Sequence, residues 1–369
     1  MGNRESTSGR ENTGILGVRR IEIERQTGFD PRSPIRDPRF PMLVAAAQIS
    51  PVFLDRDATI ERAIAAIHEA SARGARLIVF PEAFVPGYPL WVWSIPAGDT
   101  HALRALYVEL LREALSVPDQ STERLCRAAR DARMIVVIGM NERNTEASNT
   151  SLFNSVLFID ADGRLLGVRR KLVPTSGERL VHAMGDGSTF RVYDTAVGRL
   201  GALICWENYM PLARHALYCS GLDVLVTPTW DRGEPWLSTL RHVAKEGRVY
   251  VIACGNAVRI ADVPDRWPFK PLLEPDDDGW VNPGDSAIVD PDGKFVTGPC
   301  HGAQEIIYGE IDLDKVTGPR WQLDVGGHYA RPDVFRLLVN RERREQVGMT
   351  DDTGAGFHAL SDPSSPGPR

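Results

Sequence analysis

Gly201-Ala202-Leu203-Ile204-Cys205-Trp206-Glu207-Asn208 is an apolar run that stops at one cysteine and passes at once into an aromatic ring, an acid and an amide. The run reads as the end of a buried strand, Leu200–Cys205. In open α/β sheets, ligands bind beyond the carboxyl ends of the strands. A cysteine delivered there is a candidate nucleophile, because sulfur attacks electrophilic carbon once a neighbouring group removes its proton. Such a thiol needs a base, a stabiliser of negative charge, and a fold that gathers them.

Outward from this stretch, strand and helix alternate. Leu43–Ile49 is a continuous apolar strand, and Thr59–Ala72 carries Ile60, Ala63, Ile64, Ile67 and Ala70 at the spacing of one helix face. Gly74 closes that helix, and Leu77–Phe80 is the next buried strand. Helices around 102–115 and 121–132 precede a strand at Met134–Gly139. Short strands at 153–159 and 164–168 flank the turn signal Asp160-Ala161-Asp162-Gly163. The second half repeats the order, with strands at 200–205, 223–227 and 249–254 separated by helices at 211–220 and 237–246. A hairpin around Asp290-Pro291-Asp292-Gly293 and a strand at 306–311 close the core. Strands this apolar need both faces covered, and two sheets sandwiched between helix layers is the economical α/β arrangement.

Residues 1–40 are rich in Arg, Glu, Gly, Ser and Pro, show no sustained apolar period, and read as a flexible N-terminal extension. Residues 41–314 are expected to form the catalytic domain and 315–369 a C-terminal extension ending in a free tail. At 369 residues, 43% hydrophobic and 25% charged, the chain has the composition of a soluble globular protein. A net charge of −6 argues against a nucleic-acid surface. The five cysteines are odd in number and form no CxxC pair, which fits a reducing compartment, taken as the cytoplasm. No run of about 18 apolar residues predicts a membrane span. His and Cys do not cluster at metal-ligand spacing, and Asp276-Asp277-Asp278-Gly279 reads as a solvated turn.

Two further segments set polar groups beside predicted strand ends. Pro81-Glu82-Ala83-Phe84-Val85-Pro86-Gly87-Tyr88-Pro89 places a carboxylate directly after a buried strand, where it is costly without a partner. Arg169-Arg170-Lys171-Leu172-Val173-Pro174-Thr175-Ser176-Gly177-Glu178 follows the first hairpin with a lysine and an acid. Alone, the first reads as an ordinary acid at a loop start and the second as a solvated basic turn. Together with Cys205 they supply a base, a cation and a thiol, the parts of a hydrolytic site. A Cys–His peptidase would instead need His215 or His242, both on predicted helices, beside Cys205.

These three segments, in this order, resemble the catalytic-glutamate, lysine and nucleophile motifs of the nitrilase branch of the carbon–nitrogen hydrolase superfamily. Gly327-His328-Tyr329-Ala330-Arg331-Pro332-Asp333-Val334-Phe335 resembles a fourth segment typical of that branch. The resemblance implies a four-layer α-β-β-α sandwich and a triad of Glu82 as base, Lys171 as charge stabiliser and Cys205 as nucleophile. Glu178 matches the second glutamate that positions the lysine and the substrate, and Trp206, Tyr88 and His182 are assigned to substrate binding. It also implies hydrolysis of an organic nitrile to the carboxylic acid and ammonia, with water the only co-reactant and no metal or organic cofactor. The alternatives are an amidase or N-carbamoyl amidohydrolase with the same triad, or a cyanide dihydratase. A homodimer growing into a larger oligomer or spiral is expected, with residues after 315 at the contacts. Two positions depart from the pattern: Arg169 stands where a histidine is common, and His182 stands where an aromatic ring is common.

Overall fold

Val44 to Ala47 are fully buried in strand β1 (Met42–Gln48), as a continuous apolar run requires when its sheet is covered on both sides. In the computed structural model, residues 41–344 are described; the N-terminal extension and the tail from 345 onward lie outside the described residues. Asp55 then accepts from the Ala58 backbone N–H and starts helix α1 (Arg56–Ala72), which buries Ile60, Ala63, Ile67 and Ala70. Strand β2 (Leu77–Val79), helices α2 (Thr100–Glu113) and α3 (Gln120–Ala132), strand β3 (Ile135–Arg143) and the hairpin β4 (Leu152–Ile159)–β5 (Leu165–Arg170) complete the first half. The second half runs through β6 (Tyr193–Thr195), β7 (Gly198–Ala202), α4 (Pro211–Cys219), β8 (Val224–Thr229), α5 (Glu234–Gly247) and β9 (Tyr250–Gly255). It ends with β10 (Ala257–Arg259), β11 (Trp280–Val289), β12 (Phe295–His301), β13 (Glu305–Ile311) and α6 (Asp314–Arg320).

The strands form two sheets, ordered β13-β1-β2-β3-β4-β5 and β10-β11-β9-β8-β7-β6, with β12 paired to β11. Val44, Val79, Val137, Val156 and Phe158 of the first sheet share one apolar cluster with Leu200, Ala202, Val226, Ile252 and Ile288 of the second. The alternate residues Ala45, Ile78, Val136 and Ile138 turn the other way, onto Ile60 and Ile67 of α1 and Leu125 of α3. On the far side, Leu225, Val251 and Ala287 pack on Leu217 of α4 and on Trp236, Leu240 and Val243 of α5. The result is the α-β-β-α sandwich expected from the sequence. The predicted strand at 200–205 is corrected: β7 ends at Ala202, and Cys205 opens a 3-10 turn, Cys205–Tyr209. The cause is local, because the Ile204 N–H is taken by the Glu207 carboxylate at 2.8 Å and leaves the sheet ladder. Strands β6 and β10 and helix α6 lack a strong period and were not foreseen.

Pairing directions bring the functional segments to one edge. Strands β1, β2 and β3 are parallel, and the β4–β5 hairpin turns twice, so β5 again runs with β3. The residues after β2 and after β5 therefore leave the sheet at the same end. In the other sheet β7, β8 and β9 are parallel, and the residues after each also leave together. Gly139 of β3 lies directly beneath the Glu82 turn: a Cβ there would collide with the Pro81 carbonyl oxygen and sit 2.8 Å from Ala83 N and 3.0 Å from Glu82 Cα. Gly139→Ala is expected to destabilise the chain by about 1–3 kcal/mol in urea unfolding; unchanged stability would show that this turn is not packed as described.

Candidate active site

The Glu82 carboxylate is fully buried, and each of its oxygens is engaged. Oε1 accepts from Lys171 Nζ at 2.7 Å and from Asn154 Nδ2 at 2.7 Å, while Oε2 accepts from the Trp230 backbone N–H at 2.8 Å. Asn256, just past β9, donates to the Glu82 carbonyl at 3.0 Å. Glu82 is thus held by residues following β5, β8 and β9 and by one inside β4.

Lys171 is buried just past the end of β5 and sits between two acids, 2.7 Å from Glu82 and 2.8 Å from Glu178 Oε2. Glu178 lies in a 3-10 turn, Ser176–Leu180, where its carboxylate also accepts from Thr175 N at 2.9 Å and from the Tyr88 hydroxyl at 2.8 Å. Cys205 is buried at the head of its turn with φ +51°, a left-handed conformation that costs a non-glycine residue roughly 1–3 kcal/mol. That geometry lifts the thiol out of the strand direction. Thr229, at the end of β8, hydrogen-bonds to it.

The electrostatics differ sharply from group to group. Burial raises the Glu82 pKa to about 7 even though Lys171 opposes it. Burial acts on Glu178 in the same sense, but Lys171 and the further donors outweigh it and hold this acid below its usual range. Burial followed by the Glu82 charge pushes the Cys205 thiol up, with Lys171 only partly offsetting this. Burial alone would lower Lys171, yet the surrounding Glu82, Cys205 and Glu178 raise it, so it stays an ammonium. A neutral thiol, a proton-accepting carboxylate and a fixed cation are thereby brought together.

Of the residues singled out in the sequence, Glu82, Lys171, Glu178 and Tyr88 join in one hydrogen-bonded chain, and Cys205 lies within the reach of their charges. Tyr88 also stacks on Trp230, centroids 4.5 Å apart and 7° from parallel. His182 is buried, and burial pulls its pKa down to about 4, so its ring is neutral. Its Nε2 meets Asn141 Oδ1 at 2.8 Å, and Asn141 Nδ2 donates to the Val85 and Gly87 carbonyls at 3.2 and 3.0 Å. His182 therefore donates through Nε2 and braces the loop that follows Glu82. The Trp206 side chain is 53% exposed and meets Tyr209 edge-on. His215 and His242 lie on α4 and α5, against Cys219 at 3.4 Å and Glu246 at 3.9 Å, away from the thiol cluster. Among the described residues, no three His, Cys, Asp or Glu side chains are grouped to hold a metal ion.

Sequence reasoning missed Asn154, Asn256, Trp230 and Asn141. A signal existed for Asn154: an amide within a strand buried on both faces is costly unless bonded. Trp230 contributes through its backbone, which no side-chain pattern reveals.

The sandwich thus gathers a buried acid, a buried lysine and a buried thiol, the groups a hydrolytic site requires. The chain belongs to the carbon–nitrogen hydrolase family, whose family model matches residues 43–320, and so is a hydrolase acting on carbon–nitrogen bonds. It is 40% identical over 305 residues to an aliphatic nitrilase of Sinorhizobium fredii, covering 82% of this chain and 97% of that protein. It is 38% identical over 324 residues to the bifunctional nitrilase/nitrile hydratase NIT4 of rice, covering 85% and 88%. Its fold is similar to that of Saccharomyces cerevisiae Nit3, with a TM-score of 0.60 at 21% identity over 78% of this chain and 96% of that one. An amidase from Nesterenkonia sp. shares the fold at a TM-score of 0.55 and 19% identity, over 76% and 94%.

Removing the central cation should expose what it compensates. Lys171→Met leaves two buried carboxylates facing each other, a loss of about 3–5 kcal/mol in urea unfolding at pH 8. The loss should be smaller at pH 5, because carboxylates deprived of their cation are protonated there. An equal loss at both pH values would contradict the charge cluster described.

Proposed function

We propose that this protein is a nitrilase in which Cys205 is the nucleophile, Glu82 the general base and Lys171 the stabiliser of negative charge. The observation that carries the reading is the buried Lys171 held between Glu82 and Glu178, with the Cys205 thiol within reach of their charges, in a chain 40% identical to an aliphatic nitrilase. A thiol pushed up by burial does not ionise by itself at neutral pH, so attack requires a nearby acceptor for its proton. A carboxylate with a pKa of about 7 suits that transfer.

Cys205 Sγ bonds to the nitrile carbon while its proton passes to Glu82 and on to the nitrile nitrogen, giving a thioimidate. Water deprotonated by Glu82 adds to the same carbon, and ammonia leaves as the carbon–nitrogen bond breaks. The resulting thioester is opened by a second water, releasing the carboxylic acid and restoring the thiol. Two waters are consumed, and one acid and one ammonia are formed. Lys171 and the backbone N–H of Trp206 face the negative charge that develops on the substrate. Glu178 holds Lys171 in place, and Tyr88, His182 and Trp206 shape the substrate space.

The reading extends to assembly and compartment. Trp321, Tyr329, Phe335 and Leu338, all beyond residue 315, are exposed, which suits contact with a second copy. All five cysteines are free, which suits a reducing cytoplasm.

Two measurements test the chemistry. Ammonia and acid release from a panel of aliphatic, arylaliphatic and aromatic nitriles, with cyanide included, should be lost in Cys205→Ala, and retained turnover would overturn the assignment. Each nitrile is run with its matched amide; ammonia from the amide alone would instead make the protein an amidase. The base must be ionised to act, so kcat/KM should climb with pH and level off above about 7, where Glu82 is deprotonated. An acid limb centred below pH 5 would exclude Glu82 as that base.

A further inference from the structure

Glu207 follows the nucleophile by two residues, yet its carboxylate is buried and directed at another loop. Oε1 accepts from the Leu172 backbone N–H at 2.6 Å and from Arg169 Nη2 at 2.8 Å, and Oε2 accepts from the Ile204 backbone N–H at 2.8 Å. Leu172 directly follows Lys171, and Ile204 directly precedes Cys205. One rigid, planar group therefore grips the chain next to the cation and next to the thiol. The two grips belong to different sheets, since Lys171 leaves β5 and Cys205 leaves β7.

A buried carboxylate needs a compensating charge, and Arg169 supplies it. Both side chains are almost fully buried at 2.8 Å. Arg169 is itself held by the Arg170 carbonyl and by the face of Phe190, 4.9 Å from the guanidinium carbon to the ring centre.

We propose that Glu207 is a positioning residue that fixes Lys171 against Cys205 across the two sheets, with Arg169 neutralising it. Its turnover test rests on the nitrile-hydrolase reading above; its alkylation test does not. Glu207→Gln keeps the volume but turns one acceptor oxygen into an NH₂ donor, so at least one backbone N–H then faces another donor. A shift of about 1 Å at a reacting centre costs on the order of a hundredfold in rate. The expected result is a kcat reduced about a hundredfold with KM little changed.

Alkylation of Cys205 by iodoacetamide, followed by mass spectrometry across pH, reads the same geometry without any nitrile. In Glu207→Gln the profile should move to higher pH by about one unit, because the nearby cation no longer favours the thiolate. The double variant Arg169→Met/Glu207→Gln leaves no buried charge unpaired, so its thermal midpoint should return towards that of the unaltered chain while kcat stays low and the alkylation profile stays shifted. A double variant that regains stability, kcat and alkylation profile together would overturn the proposal and leave a purely structural ion pair. So would a folded Glu207→Gln whose kcat and alkylation profile match the unaltered chain. If the unaltered chain turns over no nitrile, the functional reading fails, and the alkylation profile still decides the role of Glu207.

Discussion

The site depends on one constraint: a lysine ammonium, excluded from water, between two carboxylates. Burying any of these charges alone would be prohibitive, and burying the three together is tolerable only because every oxygen and the ammonium have close partners. The surrounding fold reads as the means of delivering those partners. Asn154 comes from β4, Trp230 from just past β8, and Thr175 and Tyr88 from the loops, while Asn256, beyond β9, holds the Glu82 backbone carbonyl. A change in any of these segments is felt by the same three charges.

Much of this was legible in the sequence because the strands are short, strongly apolar and bounded by clear turn residues. The hairpin at Asp160–Gly163, the helix face from Ile60 to Ala70 and the alternation of strand and helix all follow from local patterns. The parallel β1–β3 and the double turn of the β4–β5 hairpin put Glu82 and Lys171 at one edge, a consequence of topology that needs no side-chain detail. The end of β7 was misread for an equally local reason. Leu203 and Ile204 are as apolar as the strand before them, but the Glu207 carboxylate takes the Ile204 N–H and turns the backbone before Cys205. An apolar period reports which residues are buried, and it does not report where a ladder hydrogen bond gives way to a side chain.

What stayed hidden is the set of bonds between side chains and distant backbone. The Trp230 N–H lies 148 residues from the carboxylate it serves, and the amide of Asn256 reaches the Glu82 carbonyl across 174 residues. Neither contact leaves a periodic or compositional trace. His182 illustrates the difference between a position and a role: the sequence marks it as unusual, and the structure ties its ring to Asn141, hence to the loop carrying Tyr88.

The two glutamates show how one lysine can serve two ends. Both acids are buried and both touch Lys171, so burial and charge alone would treat them alike. Each has two further donors, the Asn154 amide and the Trp230 N–H for Glu82 and the Tyr88 hydroxyl and the Thr175 N–H for Glu178. What distinguishes Glu178 is that both its oxygens meet the ammonium, and this acid is held below its usual range. Glu82 meets the ammonium through one oxygen only, and its burial, opposed by Lys171 and reinforced by the Glu178 charge, raises it to about 7. Environments that push two acids apart in this way separate their tasks. Glu178, held below its usual range, is the firmer anchor for the cation, and Glu82, raised to about 7, is the acid able to gain and lose a proton near neutrality.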